Sequence, residues 1–498
     1  MALIRLHPDS LAALPAEVTV PRYDRTALRG GIVHLGVGAF QRAHLAVVNE
    51  AALHASGDLA WGIVGVSLRS PDTRDALAPQ GGLYTVATRD ADETGQPRES
   101  LQVIGNLFAL LVAPEDPAAV LARIAHADCR IVSLTVTEKG YCHDPATLTL
   151  RWDDEDIRHD LLHAEAPRSA IGMLVRGLQL RRTRGLPPIT LMSLDNLPAN
   201  GHTLQGLVLE FAGRVDAGLR QWIAKTCTFP NSMVDRIVPR TTDDDRASIG
   251  ARLGVTDAWP VLGEPFLDWA VEDRFVAGRP DWTVGGARCV PHAEPFEKLK
   301  LRMVNGTHSS LSYLGAMAGW ATVDRAVAEP AMQAYLRRLM REEIEPTLPA
   351  LPGLDLADYR ERLLARYANP ALKHQTRQIA MDGSQKLPQR LLGTVRDRLA
   401  AGRSVGLLAL GVAAWMHYLR GVDEAGQAYG IQDPMAPLLA EALALALKVE
   451  EPAARAAAFM QKLPMFGDLA AQRPFVLAVA QHWDALTRDG VRSVLENL

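Results

Sequence analysis

The sequence predicts an α/β chain of two domains: a largely parallel sheet covered by helices, followed by a mainly α-helical domain. Three observations predict it. In the first half, short β-branched apolar runs alternate with longer helix-like segments, the pattern of βαβ units around a parallel sheet. From about residue 286 the texture changes to long Ala/Leu/Arg segments with helical spacing. A chain of 498 residues is also too long for one ordinary core, so two or three domains are expected.

The expected strands are 32–35, 61–67, 130–136 and 189–193. Between them, 117–126 and 169–184 carry Ala, Leu and Ile at helical spacing with Arg on the other face, and Pro187-Pro188 stops the second helix before a strand. The turn-rich strip 278–286 (Gly-Arg-Pro-Asp-Trp-Thr-Val-Gly-Gly) is the best boundary, giving domains 1–285 and 286–498. Beyond it, helices are expected at 309–323, 327–345, 356–368, 386–401, 404–420 and 435–463.

A hydrophobic fraction of 48% with 22% charged residues excludes disorder. A net charge of −4 gives no electrostatic reason to expect nucleic acid or an anionic membrane as partner. A soluble protein acting on small molecules is the default. Cysteines 129, 142, 227 and 289 form no CxxC or zinc-ligand spacing, which fits a reducing cytoplasm. The N-terminus lacks a signal-peptide core, and the apolar runs 309–323 and 405–416 fall short of the roughly 18 residues that would span a membrane. They read as buried core helices.

The first motif carrying chemistry is Gly36-Val-Gly38-Ala39-Phe40-Gln41-Arg-Ala-His44, placed after a strand and before a helix. Glycines there let a backbone approach a pyrophosphate, as in a Rossmann-type dinucleotide site. Gln41 takes the third glycine position of GxGxxG, so a structural glycine turn reads equally well. Past the second strand, Asp72 is placed to accept from a ribose hydroxyl and Arg69 to face a 2′-phosphate. NAD is expected over NADP.

Later clusters follow strands or turns. Glu138-Lys139-Gly-Tyr141 reads as a ligand-binding loop or a capped turn; Asp195-Asn196 offers a side-chain amide or an Asn/Asp turn. Asp235-Arg236 and the run from Arg377 to Lys386 offer charge to a polar substrate or to solvent.

The strongest cluster is Lys300-Leu-Arg-Met-Val-Asn305-Gly-Thr-His308. Only eight of the 53 basic residues are lysine. Where charge alone is wanted this chain writes Arg, and only lysine loses its proton readily enough to serve as a base, at a pKa of roughly 7 to 8 when desolvated. On an α-helix, Asn305 and His308 share a face and Lys300 lies about 80° from His308.

These motifs together resemble the polyol-specific long-chain dehydrogenase/reductase family, which includes mannitol 2-dehydrogenase and fructuronate reductase (mannonate oxidoreductase). The matches run in order through Gly36 to His44, Thr137 to Tyr141, Asp195-Asn196-Leu-Pro, Asn231 to Arg236, Lys300 to His308 and Asp382 to Lys386. Gln41 departs from a position where many members have His.

The resemblance implies a metal-independent, NAD-dependent oxidoreductase interconverting a polyol and a ketose, D-mannitol and D-fructose in the first reading. The alternative is D-mannonate and D-fructuronate, which cations at the far end of the site would favour. It implies Lys300 as general base, Asn196 and Asn305 as oxyanion donors and His308 as the group orienting the hydroxyl. Asp235, Arg377 and Lys386 would contact substrate, Glu138 and Glu297 would form a proton route, and a monomer is the assembly the family resemblance favours. A non-catalytic dinucleotide-binding protein would be expected to lack Lys300, Asn305 or His308, and all three are present.

Overall fold

The computed structural model describes residues 4–91, 96–144, 147–351, 353–371 and 373–498. The chain forms two compact units, Met1–Asp90 with Arg98–Glu294, and Pro295–Leu498 with the short segment Ala91–Pro97.

The first unit is built on a five-stranded sheet of β1 (Ile32–Leu35), β2 (Ile63–Ser67), β3 (Leu107–Val112), β4 (Ile131–Leu134) and β5 (Thr190–Ser193). The strand order is 3-2-1-4-5 and every pairing is parallel; Ile32 lies opposite both Ile63 and Ile131. Four of the five strands are buried throughout, the mark of a parallel sheet covered on both faces. Alternate residues feed two cores: Val33, Leu35, Val132 and Leu134 on one side, Ile32, Ile63 and Ile131 on the other. Each buried Ile, Leu or Val contributes about 1.5–3 kcal/mol.

The connecting helices start and stop where sequence chemistry directs. Asp116 caps Pro117–Ile124 by accepting from Ala119 N, Ser169 caps Ala170–Thr183 by accepting from Gly172 N, and left-handed Gly57 closes Leu45–Ser56. Strand order reverses between β1 and β4, so the carboxyl ends of those strands open the crevice where such sheets bind ligands.

Two smaller sheets complete this unit. One orders Val261–Gly263, Tyr84–Ala91 and Pro97–Ile104; the other Ser232–Asp235, Asp268–Glu272 and Ala287–Val290. The last strand lies just beyond the boundary expected at residue 285. Ala287–Val290 pairs in parallel with Asp268–Glu272, which carries the first unit to Glu294. The strip 278–286 is an internal turn whose buried Trp282 donates to Asn49 Oδ1 (3.1 Å) and packs on Trp269.

Among its described residues, Pro295–Leu498 is helical apart from isolated bridges. Thr307–Met317 and Gly406–Tyr418 form its centre, crossing where a side chain on Gly411 would meet Ser310 Oγ. The helix Arg473–Glu496, interrupted at Gly490, packs on Gly406–Tyr418 and buries Phe475, Val479 and Trp483; it lies beyond the helices expected from the sequence. No helix among the described residues is long and apolar enough to cross a membrane.

Candidate active site

In the first unit, β1 runs straight into the glycine turn. Gly36 has φ +91°, and a Cβ there would lie 2.2 Å from the Thr135 carbonyl oxygen, so no other residue fits. The turn is braced from below. His34 bridges Ser133 Oγ and Thr135 Oγ1 (2.8 Å each), and Thr135 Oγ1 donates to Gly36 O (2.8 Å). Gly38 precedes a helix of only five residues, Ala39–Ala43, which breaks at His44 before Leu45–Ser56 begins. Gln41 is fully buried there, and neither of its amide atoms has a partner among the described residues.

A cavity of about 1140 Å³ opens over this turn, lined by Gly36, Gly38, Arg69, Thr135, Thr137 and Met173 among others. Asp72 does not line it. Asp72 accepts from Ser70 Oγ (2.9 Å) and lines an adjoining 970 Å³ cavity with Gly38, Ala39, Arg240 and Trp259. Gly38 lines both hollows, so Arg69 and Asp72 stand on adjoining hollows at the same glycine turn.

At the end of β5, Asp195 accepts from Val136 N (2.9 Å), Thr137 N (2.9 Å) and Tyr141 Oη (2.7 Å). Burial pushes its carboxyl up, against those three bonds, which favour the anion. It ties the loop after β4 to β5 and leaves Asn196 exposed beside it. Glu138 is exposed, and Asp235 is half-buried at the end of Ser232–Asp235.

In the second unit, Lys300–Gly306 is a π-helix set between the α-helices Glu294–Leu299 and Thr307–Met317. This corrects the α-helical geometry expected for the cluster. On an α-helix Lys300 and Asn305 would point about 140° apart; the wider i→i+5 winding of a π turn brings them closer in direction. Local π turns need help with their carbonyls. Thr307 Oγ1 donates to Met303 O and Tyr367 Oη to Val304 O (2.9 Å). A second π segment, Pro388–Leu392, packs on the first, with Gly306 against the Arg390 carbonyl.

Lys300 and Asn305 are half-buried, while His308 is buried. Arg302 is no solvated charge: it donates to Asp397 and to Thr347 Oγ1 (2.6 Å each). Burial, followed by the charges of His374, Arg366 and Arg390, drives the His308 pKa well below its usual value. His308 is thus a neutral imidazole, and its Nε2 has no partner among the described residues.

Residues 30–284 match the family model of the mannitol dehydrogenase Rossmann domain, and residues 292–487 match the mannitol dehydrogenase C-terminal domain. The chain belongs to the mannitol dehydrogenase family. It is 44% identical to an uncharacterized oxidoreductase, YeiQ, of Escherichia coli (strain K12), over 97% of this chain and 98% of the relative. It is 46% identical to D-mannonate oxidoreductase of the same organism, over 84% and 86%. Among solved structures it resembles Pseudomonas fluorescens mannitol 2-dehydrogenase in ternary complex with NAD and D-mannitol, with TM-score 0.83, 36% identity and 99% of each chain covered.

Within this mannitol dehydrogenase family fold, the other expected substrate residues have specific surroundings. Lys386 donates to Met381 O (2.6 Å), and burial with Arg390 nearby lowers its pKa. Arg377 pairs with Asp423 (3.2 Å) and lies over Tyr429, so part of its charge is already neutralised. Glu297 is half-buried. Sequence reasoning missed Tyr367, His374 and Arg366, and read His34 only as part of a strand. No motif marks them, because they reach their positions through strand pairing or tertiary contacts. Among the described residues no group of three or more His, Cys, Asp or Glu is arranged to hold a metal ion.

His34 also gives a measurable pH dependence. Burial lowers its pKa to about 3, whereas an unfolded histidine titrates near 6.5. The unfolded chain therefore binds a proton that the folded chain refuses, and stability falls as pH drops from 6.5 toward 3, by about 1.4 kcal/mol per pH unit. Urea unfolding at pH 7.5 and 5.0 is expected to show about 2 kcal/mol less acid loss in His34→Gln than in wild type. Equal losses would mean that His34 is not held neutral.

Proposed function

We propose that this protein is an NAD-dependent dehydrogenase that interconverts a secondary alcohol of an open-chain sugar derivative and its ketone, with Lys300 as general base. The observation that carries this reading is the π turn. It brings Lys300 and Asn305 closer in direction than an α-helix would, just before a neutral histidine with an unpaired nitrogen. Lysine takes a proton, an amide donates to a developing alkoxide, and a neutral imidazole holds a hydroxyl.

The residues fit a dinucleotide. Gly36 and Gly38 bare the backbone at the carboxyl end of β1, under a cavity large enough for a nucleotide, with Arg69 on its wall. NAD, when bound, supplies the hydride acceptor. Lys300 removes the hydroxyl proton, Asn305 donates to the oxygen as charge builds, and Asn196 is the second amide in this reading. Each such donor lowers the barrier by about 3 kcal/mol. His308 Nε2 orients the reacting hydroxyl. Asp235, Arg377 and Lys386 are assigned to the remaining hydroxyls, and Glu138 and Glu297 to the proton's exit. This division of labour asks for no Lewis acid.

The polyol–ketose pair of D-mannitol and D-fructose is one form of this reaction. The aldonate form, D-mannonate and D-fructuronate, is favoured by a specific feature: Arg366, Arg390 and Lys386 lie close enough to His308 or His374 to depress their pKa values. Such a concentration of cations suits a substrate with a carboxylate. Initial rates of NAD reduction on D-mannonate, D-mannitol, D-sorbitol and D-arabinitol test this. D-mannonate is expected to exceed D-mannitol in kcat/KM by about tenfold or more. The reverse order would restore the polyol, and no turnover on any of them would sink the proposal.

A further inference from the structure

The ring of His308 stacks on Tyr367 (4.3 Å, 26° between planes), and His374 meets it edge-on (5.6 Å, 90°). Two ring nitrogens in this group, His308 Nε2 and His374 Nδ1, are buried without a hydrogen-bond partner among the described residues. Buried polar atoms are almost always paired. Two unpaired ones on adjoining rings mark positions for the polar groups of a ligand, and a chain of two or three hydroxylated carbons spans rings this close.

The backbone presents His374 rigidly. Lys373 adopts φ +46°, a left-handed conformation that a non-glycine residue takes only under constraint. The next residues are then clamped: His374 O accepts from Val323 N (3.0 Å), Gln375 bridges to Thr322, and Thr376 N donates to Ala321 O (3.0 Å). A packing histidine has no need of an unpaired nitrogen or of a strained residue before it.

We propose that His374 is a second substrate-binding histidine, whose Nδ1 hydrogen-bonds a hydroxyl on a carbon adjacent to the one whose hydroxyl His308 holds. This rests on the reading of Lys300, Asn305 and His308 given above. Its chemistry suits a hydroxyl. Burial and the charges of Arg366 and Lys386 keep His374 neutral, and a neutral imidazole nitrogen pairs with a group that both donates and accepts. The same cations repel a positively charged ligand and leave a polyhydroxy segment as the chemical class.

The test compares full-length wild type, His374→Ala and His374→Asn on D-mannonate, D-mannitol and the monodeoxy D-mannitols that lack a hydroxyl next to the oxidised carbon. In His374→Ala, KM for the parent substrate is expected to rise about tenfold with kcat within about twofold. The preference of wild type for the parent over one deoxy compound should collapse in the same variant, because the hydrogen bond it reads is gone. His374→Asn, with an amide near the Nδ1 position, should recover most of the preference. NADH affinity and Tm should stay at wild-type values in both variants. Equal losses on parent and deoxy substrates, an unchanged KM, no recovery with Asn, or a fall in Tm in both variants would each overturn the proposal. Wild type inactive on every compound would overturn the underlying reading, and this one with it.

Discussion

Replacing Lys300 with alanine is expected to lower kcat at neutral pH by about 10²- to 10⁴-fold, the contribution of a positioned general base, while NADH affinity stays unchanged. The decisive companion is Lys300→Arg. Arginine keeps the positive charge and the length but does not release a proton, so it should be as inactive as alanine if Lys300 is a base, and largely active if Lys300 only supplies charge. The chain's own usage sharpens the contrast, because 45 of its 53 basic residues are already arginine. Two neighbours on the same stretch, Lys298 and Arg302, are both tied to Asp397, so neither substitutes for the lost amine. NADH binding followed by fluorescence, with Tm alongside, separates loss of chemistry from loss of fold. Near-normal turnover in Lys300→Ala would remove the general-base assignment.

Much of the architecture was legible in the sequence because its signals are local. Ile32–Leu35, Ile131–Leu134 and Thr190–Ser193 are β-branched or apolar runs bounded by turn residues, and Pro117–Ile124 and Ala170–Thr183 carry their own caps. The third strand was not legible. Leu107–Val112 reads Leu-Phe-Ala-Leu-Leu-Val, which lacks β-branched residues before its end and becomes a strand by pairing with β2. The strip 278–286 reads as a linker in sequence, whereas the strand beyond it pairs backward with Asp268–Glu272 and stays with the first unit.

The candidate site divides in the same way. Lys300, Asn305 and His308 stand out by residue type and spacing. The π turn between them does not, and one of its carbonyls is satisfied by the Tyr367 hydroxyl from 63 residues further along the chain. His374, on the non-helical segment bridged to Thr322, and Arg366, on its helix, reach the His308 ring through tertiary contacts, and no periodicity announces such a meeting. Local chemistry names the reactive groups, and tertiary packing decides how they are aimed.

The two glycines of the β1 turn should separate in the same physical terms. Gly36→Ala is expected to destabilise the protein by about 1–3 kcal/mol, the usual cost of a strained backbone position, and to raise the Kd for NADH by about 100-fold. The reason is internal: at φ +91° the new methyl would sit 2.2 Å from the Thr135 carbonyl oxygen. That carbonyl is held in place, since Thr135 N donates to Leu35 O (3.0 Å) and Thr135 Oγ1 joins His34 to Gly36. Either the glycine turn or the end of β4 must move, and both border the crevice. Gly38→Ala differs. Its φ is −95°, and a Cβ there would find nothing nearer than the Gly36 carbonyl at 3.8 Å, so the fold should tolerate it and Tm should not fall. The methyl would instead enter the space over the turn where a pyrophosphate must approach the backbone, and NADH affinity should drop without loss of stability. A Gly38→Ala variant that binds NADH normally would show that the dinucleotide does not cross this turn.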